Sequence, residues 1–253
     1  MKKAFIVTSS IDVSNQYPLT YSKTRSFFSD DQRLEQTINT IHSIQASSDI
    51  DTDIFLVDTS RRCKNYSQKL SNIKNTKYIS IDDIDPELYT IVTSHSNKSF
   101  CEINLLLSFF KKFNQELSIY DYFFKMSGRY SIDQNFKIES FTSAHTDKIF
   151  FKKPWEWDWK DHWNYQMVDL RDKQGDNTLK QYSTVLYGWG SKRFQDVLSL
   201  LTKSNDILSL PSMQHYDIET LSYFFSRSLS QYIVETDWVI SGRLGHNGNL
   251  VRY

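Results

Sequence analysis

Short apolar runs that stop at small polar residues alternate with helical stripes through the first half of this chain. That alternation restricts the fold more than any other feature of the sequence. Ala4-Phe5-Ile6-Val7 stops at Thr8-Ser9-Ser10, the run from Asp53 to Val57 at Asp58-Thr59-Ser60, and Tyr122-Phe123-Phe124-Lys125-Met126 at Ser127-Gly128-Arg129-Tyr130. Lys77 to Ile81 reads as a further strand. Brief apolar runs bounded by turn formers suit strands buried on both faces. Leu34, Ile38, Ile41 and Ile44 follow Ser29-Asp30-Asp31-Gln32, and Ile103, Leu106, Leu107, Phe110 and Phe113 follow Ser99-Phe100-Cys101-Glu102. Each set is an apolar helical face behind a capping-box signal. The alternation predicts an α/β protein with a mostly parallel sheet covered by helices on both faces.

The second half is more elaborated. Lys148 to Lys152, Ser183 to Tyr187 (ending at Gly188-Trp189-Gly190) and Tyr232-Ile233-Val234 read as strands. Phe194, Val197, Leu198 and Leu201 mark one helix, and Ile218, Leu221, Phe224 and Phe225 another. Trp155, Trp157, Trp159 and Trp163 sit among lysines and the acids Asp158 and Asp161; they form either an apolar platform for a ligand or a loop packed on the core. No boundary interrupts the chain, which reads as one domain over 1–253.

Composition removes several classes. The 253 residues balance 30 Lys and Arg against 30 Asp and Glu, without the basic excess that coating nucleic acid requires. Cys63 and Cys101 make neither a disulfide framework nor a four-ligand zinc site, and fit a reducing compartment. No secretory apolar core follows Met1, and no run approaches the ~18 apolar residues of a membrane span. Thr8 to Asp12 lacks glycine, which rejects the dinucleotide fingerprint. The phosphate loop ending in Gly-Lys-Ser/Thr, the Gly-X-Ser-X-Gly elbow and the His-Glu-X-X-His helix are also missing.

Ligands of open parallel sheets bind beyond the carboxyl ends of the strands. Thr8, Ser9, Ser10, Asp58, Ser127, Gly128, Arg129 and Tyr130 occupy those ends, and three polar ends in a row suit one polar ligand. Asn97 and Lys98 precede a helix, where an N-terminus favours anions. Glu102 caps that helix, touches a ligand, or does both. Asp217 and Glu219 open a later helix, as dipole partners or as carboxylates for acid–base chemistry. Arg25 and Arg33 are phosphate or core partners, whereas Arg61-Arg62 reads as a solvated pair. His246 lies in a glycine-rich tail, as a surface residue or a ligand.

The layout resembles the GT-A-type glycosyltransferases of bacterial and viral polysaccharide synthesis, which use nucleotide-diphosphate sugars. The resemblance rests on the polar end of the first strand, Asp58 after the second, and the Ser22 to Ser29 stretch with Gln36-Thr37-Ile38. It continues through Asn97 to Glu102 and Lys125 to Tyr130. It covers residues 1–135 closely and the rest loosely, implying a nucleotide-binding half (1–135) and an acceptor-binding half (136–253). It implies transfer of a sugar from a nucleotide sugar, as co-substrate, to a glycan or lipid-linked saccharide in surface polysaccharide synthesis. Thr8, Ser9, Ser10 and Asp58 would hold the nucleoside, and Asn97, Lys98, Glu102 and Ser127 to Tyr130 the remainder of the donor. Glu219, or Asp217, would be the base. The family's Asp-X-Asp metal motif reads Ser127-Gly128-Arg129 here, so Arg129 and Lys98 are expected to supply the metal's countercharge. A role for Mn²⁺ or Mg²⁺ stays open, with His246 as a candidate ligand. The expected location is cytoplasmic, or peripheral at the inner face of a membrane. The alternative is a non-catalytic carbohydrate- or nucleotide-binding protein on the same fold.

Overall fold

The computed structural model describes residues 1–48, 51–61, 64–133, 136–138, 142, 146–158 and 178–252, with the backbone alone at 64 and 65. The first half runs β1 (Lys3–Ser9), α1 (Asp30–Ser47), β2 (Thr52–Asp58), α2 (Lys64–Ser71), β3 (Thr76–Ser80), α3 (Ile81–Ile84), α4 (Leu88–Ser94), α5 (Lys98–Leu117), β4 (Tyr122–Ser127) and β5 (Tyr130–Ile132). The second half contributes β6 (Ile149–Lys152), β7 (Trp155–Asp158), β8 (Thr178–Gln181), β9 (Leu186–Gly190), α6 (Phe194–Leu208), α7 (Ile218–Ser226), β10 (Ile233–Thr236), β11 (Ile240–Arg243) and β12 (Leu250–Arg252). No described helix is long and apolar enough to cross a membrane.

A seven-stranded sheet takes the order β10-β6-β9-β4-β1-β2-β3, so both halves of the sequence build it. β4, β1, β2 and β3 run parallel to one another, as does β10 to β6; β9 is antiparallel to β4 and β6. Side chains alternate between two cores, as the period of a strand requires. Ala4, Ile6, Phe55, Val57, Phe123 and Trp189 meet α5, α6 and α7 on one face. Phe5, Val7, Ile54, Leu56 and Phe124 meet Leu34, Ile41 and Ile44 of α1 on the other. The expected α/β layering with helices on both faces is therefore present. Ser29 caps α1 as its sequence indicates, with Gln32 returning the bond to the Ser29 amide.

Several expectations need correction. Asn97, rather than Ser99, caps α5 by accepting from the Phe100 amide. Ser99 accepts instead from the Ile218 amide, so it ties α5 to α7. β9 starts at Leu186, three residues later than expected, and Gly188 and Gly190 are among its last residues. They are small because the neighbours are close: a Cβ on Gly188 would meet the Phe124 ring at 2.6 Å, and one on Gly190 the Thr146 carbonyl oxygen at 2.1 Å. The pattern also gave no sign of two small sheets, β12-β11-β5 and β7-β8. Trp155, Trp157 and Asp158 belong to the latter; Trp159, Asp161, Trp163, Arg62 and Cys63 lie outside the described residues.

Gly190→Ala tests the close approach. Backbone cannot yield as a side chain can, so the variant is expected to lose about 1–3 kcal/mol in urea unfolding. An unchanged midpoint would contradict this contact.

Candidate functional site

The parallel strands deliver their carboxyl ends to one edge. Ser9 stands opposite Asp58, Asp58 opposite Ser80, and Thr8 opposite Ser127. Beyond that edge lies a crevice of about 120 Å³ lined by Thr8, Ser9, Ser10, Thr59, Ser127 and Glu102, together with Arg25, Arg33, Lys98 and Arg129. Ligand clefts usually enclose about 300–1,000 Å³, so this space suits the compact charged part of a larger molecule.

Charge defines the crevice. Arg33 is buried; its guanidinium donates to the Ser10 carbonyl and to Ser26 Oγ at 3.1 Å. Arg25, also buried, donates to the carbonyls of Tyr17 (3.3 Å) and Val92 (3.2 Å) and to Cys101 Sγ. These acceptors satisfy hydrogen bonds without cancelling charge. Arg129 Nε is buried without a hydrogen-bond partner. Among the described residues none of the four cations is ion-paired to a carboxylate. The titration of two of them reflects this crowding. Burial, then Arg129, Arg33 and Arg25, push the Lys98 ammonium down to about 7. Burial and Arg129 push Arg33 down to about 9, although Asp58 opposes the change. Desolvation and like charge both disfavour a cation, and a bound anion would reverse both effects.

Some sequence candidates lie here and some do not. Thr8, Ser9, Ser10, Lys98, Glu102, Ser127 and Arg129 line the crevice. Asp58 is underneath it, fully buried: Oδ1 accepts from the Ile11 amide and from Ser60, and Oδ2 from Tyr78. Burial raises its pKa. It holds the turn after β1 and does not line the crevice. Asn97 is likewise committed to structure, donating to the carbonyls of Gln214 and Tyr216. Gly128 packs on protein: a Cβ there would come within 3.1 Å of the Thr8 carbonyl oxygen. Tyr130 turns into the core under α1.

The carboxylates of α7 differ from one another. Asp217 is the N-cap; it accepts from the Thr220 amide at 2.7 Å and from Gln181 at 3.0 Å. Glu219 accepts from Thr184 Oγ1 at 2.6 Å and from its own backbone amide. Burial and then Asp217 raise its pKa to about 7. Its charge reaches Tyr21, as does that of Arg129, so the carboxylate and the crevice are neighbours. The tail closes over this region: Gly245 packs on the Arg129 guanidinium, Phe27 N donates to the Gly245 carbonyl at 2.8 Å, and Tyr21 meets the His246 ring edge-on.

A divalent cation does not fit these residues. His246 lies beside Lys98 and Arg129, and they and burial lower its pKa. The nearest crevice carboxylate, Glu102, is paired with Lys125. Among the described residues no group of three His, Cys, Asp or Glu could hold a metal. The residues least visible in the sequence are Thr59, Thr184 and Lys125. For Lys125 a signal existed: a lysine interrupting the apolar run Tyr122 to Met126 must have buried partners.

Lys98 generates a prediction with opposite signs for binding and stability. Its folded pKa lies below its unfolded value, so the folded state binds fewer protons between about pH 7 and 10.5 and stability rises with pH across that window. Lys98→Met is expected to flatten this rise and to increase stability at pH 6. If pyrophosphate binds in the crevice, Lys98→Met should also weaken that binding and remove the proton uptake expected to accompany it near pH 8 in the wild type. A variant with unchanged uptake would mean that Lys98 is not part of the anion site.

No family model matches the chain, and no curated protein matches it. Among solved structures, the glycosyltransferase GlyE of Streptococcus pneumoniae TIGR4 is similar at 8% identity and a TM-score of 0.48, covering 94% of this chain and 45% of that one. Its apo form is similar at 9% identity and a TM-score of 0.47, covering 93% and 45%. The chain thus spans less than half the length of those proteins, and likenesses this distant carry no assignment of activity.

Proposed function

We propose that the chain is a glycosyltransferase that takes its sugar from a nucleotide-diphosphate donor and uses arginine and lysine where a metal ion often serves. One observation carries the reading: four cations without carboxylate partners gather at the carboxyl edge of a parallel sheet, beside a carboxylate held near neutral pKa. A diphosphate supplies the missing countercharge, and guanidinium groups bind it through paired hydrogen bonds. Thr8, Ser9, Ser10 and Thr59 offer hydroxyls for the rest of the donor.

In this reading the bond from the anomeric carbon to the phosphate oxygen breaks, and its electron pair leaves with the nucleoside diphosphate. Arg129 and Lys98 stabilise that growing charge; being already oriented, they need little rearrangement as it develops. The acceptor is a glycan or lipid-linked saccharide. Its hydroxyl oxygen bonds to the anomeric carbon and gives its proton to Glu219. A general base works best near its operating pH, which a carboxyl raised to about 7 achieves. Asp217 is less suited to the role, because the helix cap and Gln181 occupy it.

Slow hydrolysis of nucleotide sugars, read as released nucleoside diphosphate, tests the proposal. Arg129→Ala is expected to lower the rate about 10²–10³-fold, the usual loss on removing one preorganised donor, and a chelator is expected to leave the rate unchanged. Binding of nucleotides without turnover across a broad panel of donors and acceptors would favour a non-catalytic binding protein instead.

A second expectation concerns pH. Glu219 accepts a proton only when ionised, so transfer should rise through about pH 7. Glu219→Gln should remove that limb together with most of the rate. A flat profile from pH 5 to 8 would exclude Glu219 as the base.

A further inference from the structure

Lys125 is the most deeply buried cation near the site, 1% exposed in the middle of β4 and opposite Tyr187 of β9. Its ammonium has three N–H groups and three partners. It pairs with the Glu102 carboxylate, donates to Ser127 Oγ at 3.1 Å, and donates to the Thr184 carbonyl at 2.8 Å. Two of these partners line the cation crevice, and Glu102 also accepts from Thr8 at 3.0 Å. The third, Thr184, hydrogen-bonds Glu219 through its side chain. One ammonium therefore joins the floor of the crevice to the residue that holds the carboxylate.

A buried ion pair is a poor source of stability, because desolvating both charges offsets most of their attraction. An apolar side chain would satisfy the packing of β4 at lower cost. Something other than stability accounts for a lysine here. Glu102 supplies it: this carboxylate lines a crevice whose other charges are positive, and without a partner it would repel an incoming anion.

We infer that Lys125 is a positioning residue that neutralises Glu102 at the floor of the anion crevice and fixes Thr184 against Glu219. The inference deepens the transferase reading and rests on it for its meaning, though its geometry stands apart. Two effects follow from losing the ammonium. Glu102 becomes an uncompensated negative charge beside the crevice, which weakens anion binding. The same charge already raises the Glu219 pKa and, without Lys125 to offset it, does so more strongly, so Glu219 keeps its proton to higher pH. The groups facing Glu219 are Asp217 at the cap of its own helix, Glu102 from α5, Tyr187 from β9 and Tyr21 from the segment after β1, with Lys125 reaching it through Thr184.

The test uses the whole chain and two readouts that need no turnover: pyrophosphate affinity by calorimetry, and titration of the Glu219 carboxyl by carbon NMR. Lys125→Met is expected to weaken pyrophosphate about tenfold or more and to move the Glu219 titration up by about one pH unit. Glu102→Gln, which unmasks the ammonium, is expected to tighten pyrophosphate several-fold and to move Glu219 down. The double variant should return both readouts to within about threefold of the wild type, because it removes both charges together. A double variant no closer to wild type than Lys125→Met would reduce Lys125 to packing and overturn the inference. If Lys125→Met does not fold, Glu102→Gln decides alone: unchanged or weaker binding with an unmoved Glu219 titration overturns it. Wild-type protein that ignores pyrophosphate would sink the transferase reading. The Glu219 titrations would still decide the role of Lys125.

Discussion

Like charges held together inside a protein are the constraint on which this site depends. Arg25, Arg33, Lys98 and Arg129 converge on one crevice, and burial removes the water that would screen them. The fold tolerates the arrangement in two ways. Backbone carbonyls of Ser10, Tyr17 and Val92 anchor two of the guanidinium groups without neutralising them. Lys98, the cation that loses its proton most readily, does so near neutrality. Among the described residues the one carboxylate lining the crevice, Glu102, is paired with Lys125 and leaves the four cations without an acidic partner.

The described acids nearby are arranged so that none pairs with these cations. Asp58 is buried under the turn after β1, Asp217 is fixed as a helix cap, and Glu102 is neutralised by Lys125 from beneath. Glu219 stands near the crevice, held by Thr184, with a pKa raised to about 7. The proposed transfer needs cations for a leaving group and a carboxylate for a proton, and neighbouring elements keep the two apart. Direct pairing would cancel both charges. The antiparallel strand β9 and the residues just before it make this possible, because they bring Thr184 between Lys125 and Glu219.

Much of the architecture was legible in the linear pattern. Short continuous apolar runs and helical stripes identified β1 to β4, α1 and α5, since strands buried on both faces must be continuously apolar. The placement of Thr8 to Ser10, Ser127 and Arg129 at the crevice on the sheet's carboxyl edge followed from the rule for parallel sheets. The roles of Asp58, Asn97, Gly128 and Tyr130 were not legible. A polar residue at a strand end looks the same in sequence whether it meets ligand or folds under to hold a turn. Glu102 was read through a capping box that Asn97 preempts two residues earlier, and the shift frees its carboxylate to meet Lys125.

By itself the sequence determined the layered α/β class and the polar edge, because hydrophobic periodicity is a local property of the chain. It also ruled out the glycine-loop cofactor folds, whose signatures are local too. Only the tertiary structure decided which charges meet. Arg25 and Arg33 come from the long segment after β1 and from α1, Lys98 from the start of α5 and Arg129 from the end of β4. Their mutual repulsion, and the pairing that removes Glu102 from their company, depend on distances through space that spacing along the chain does not encode.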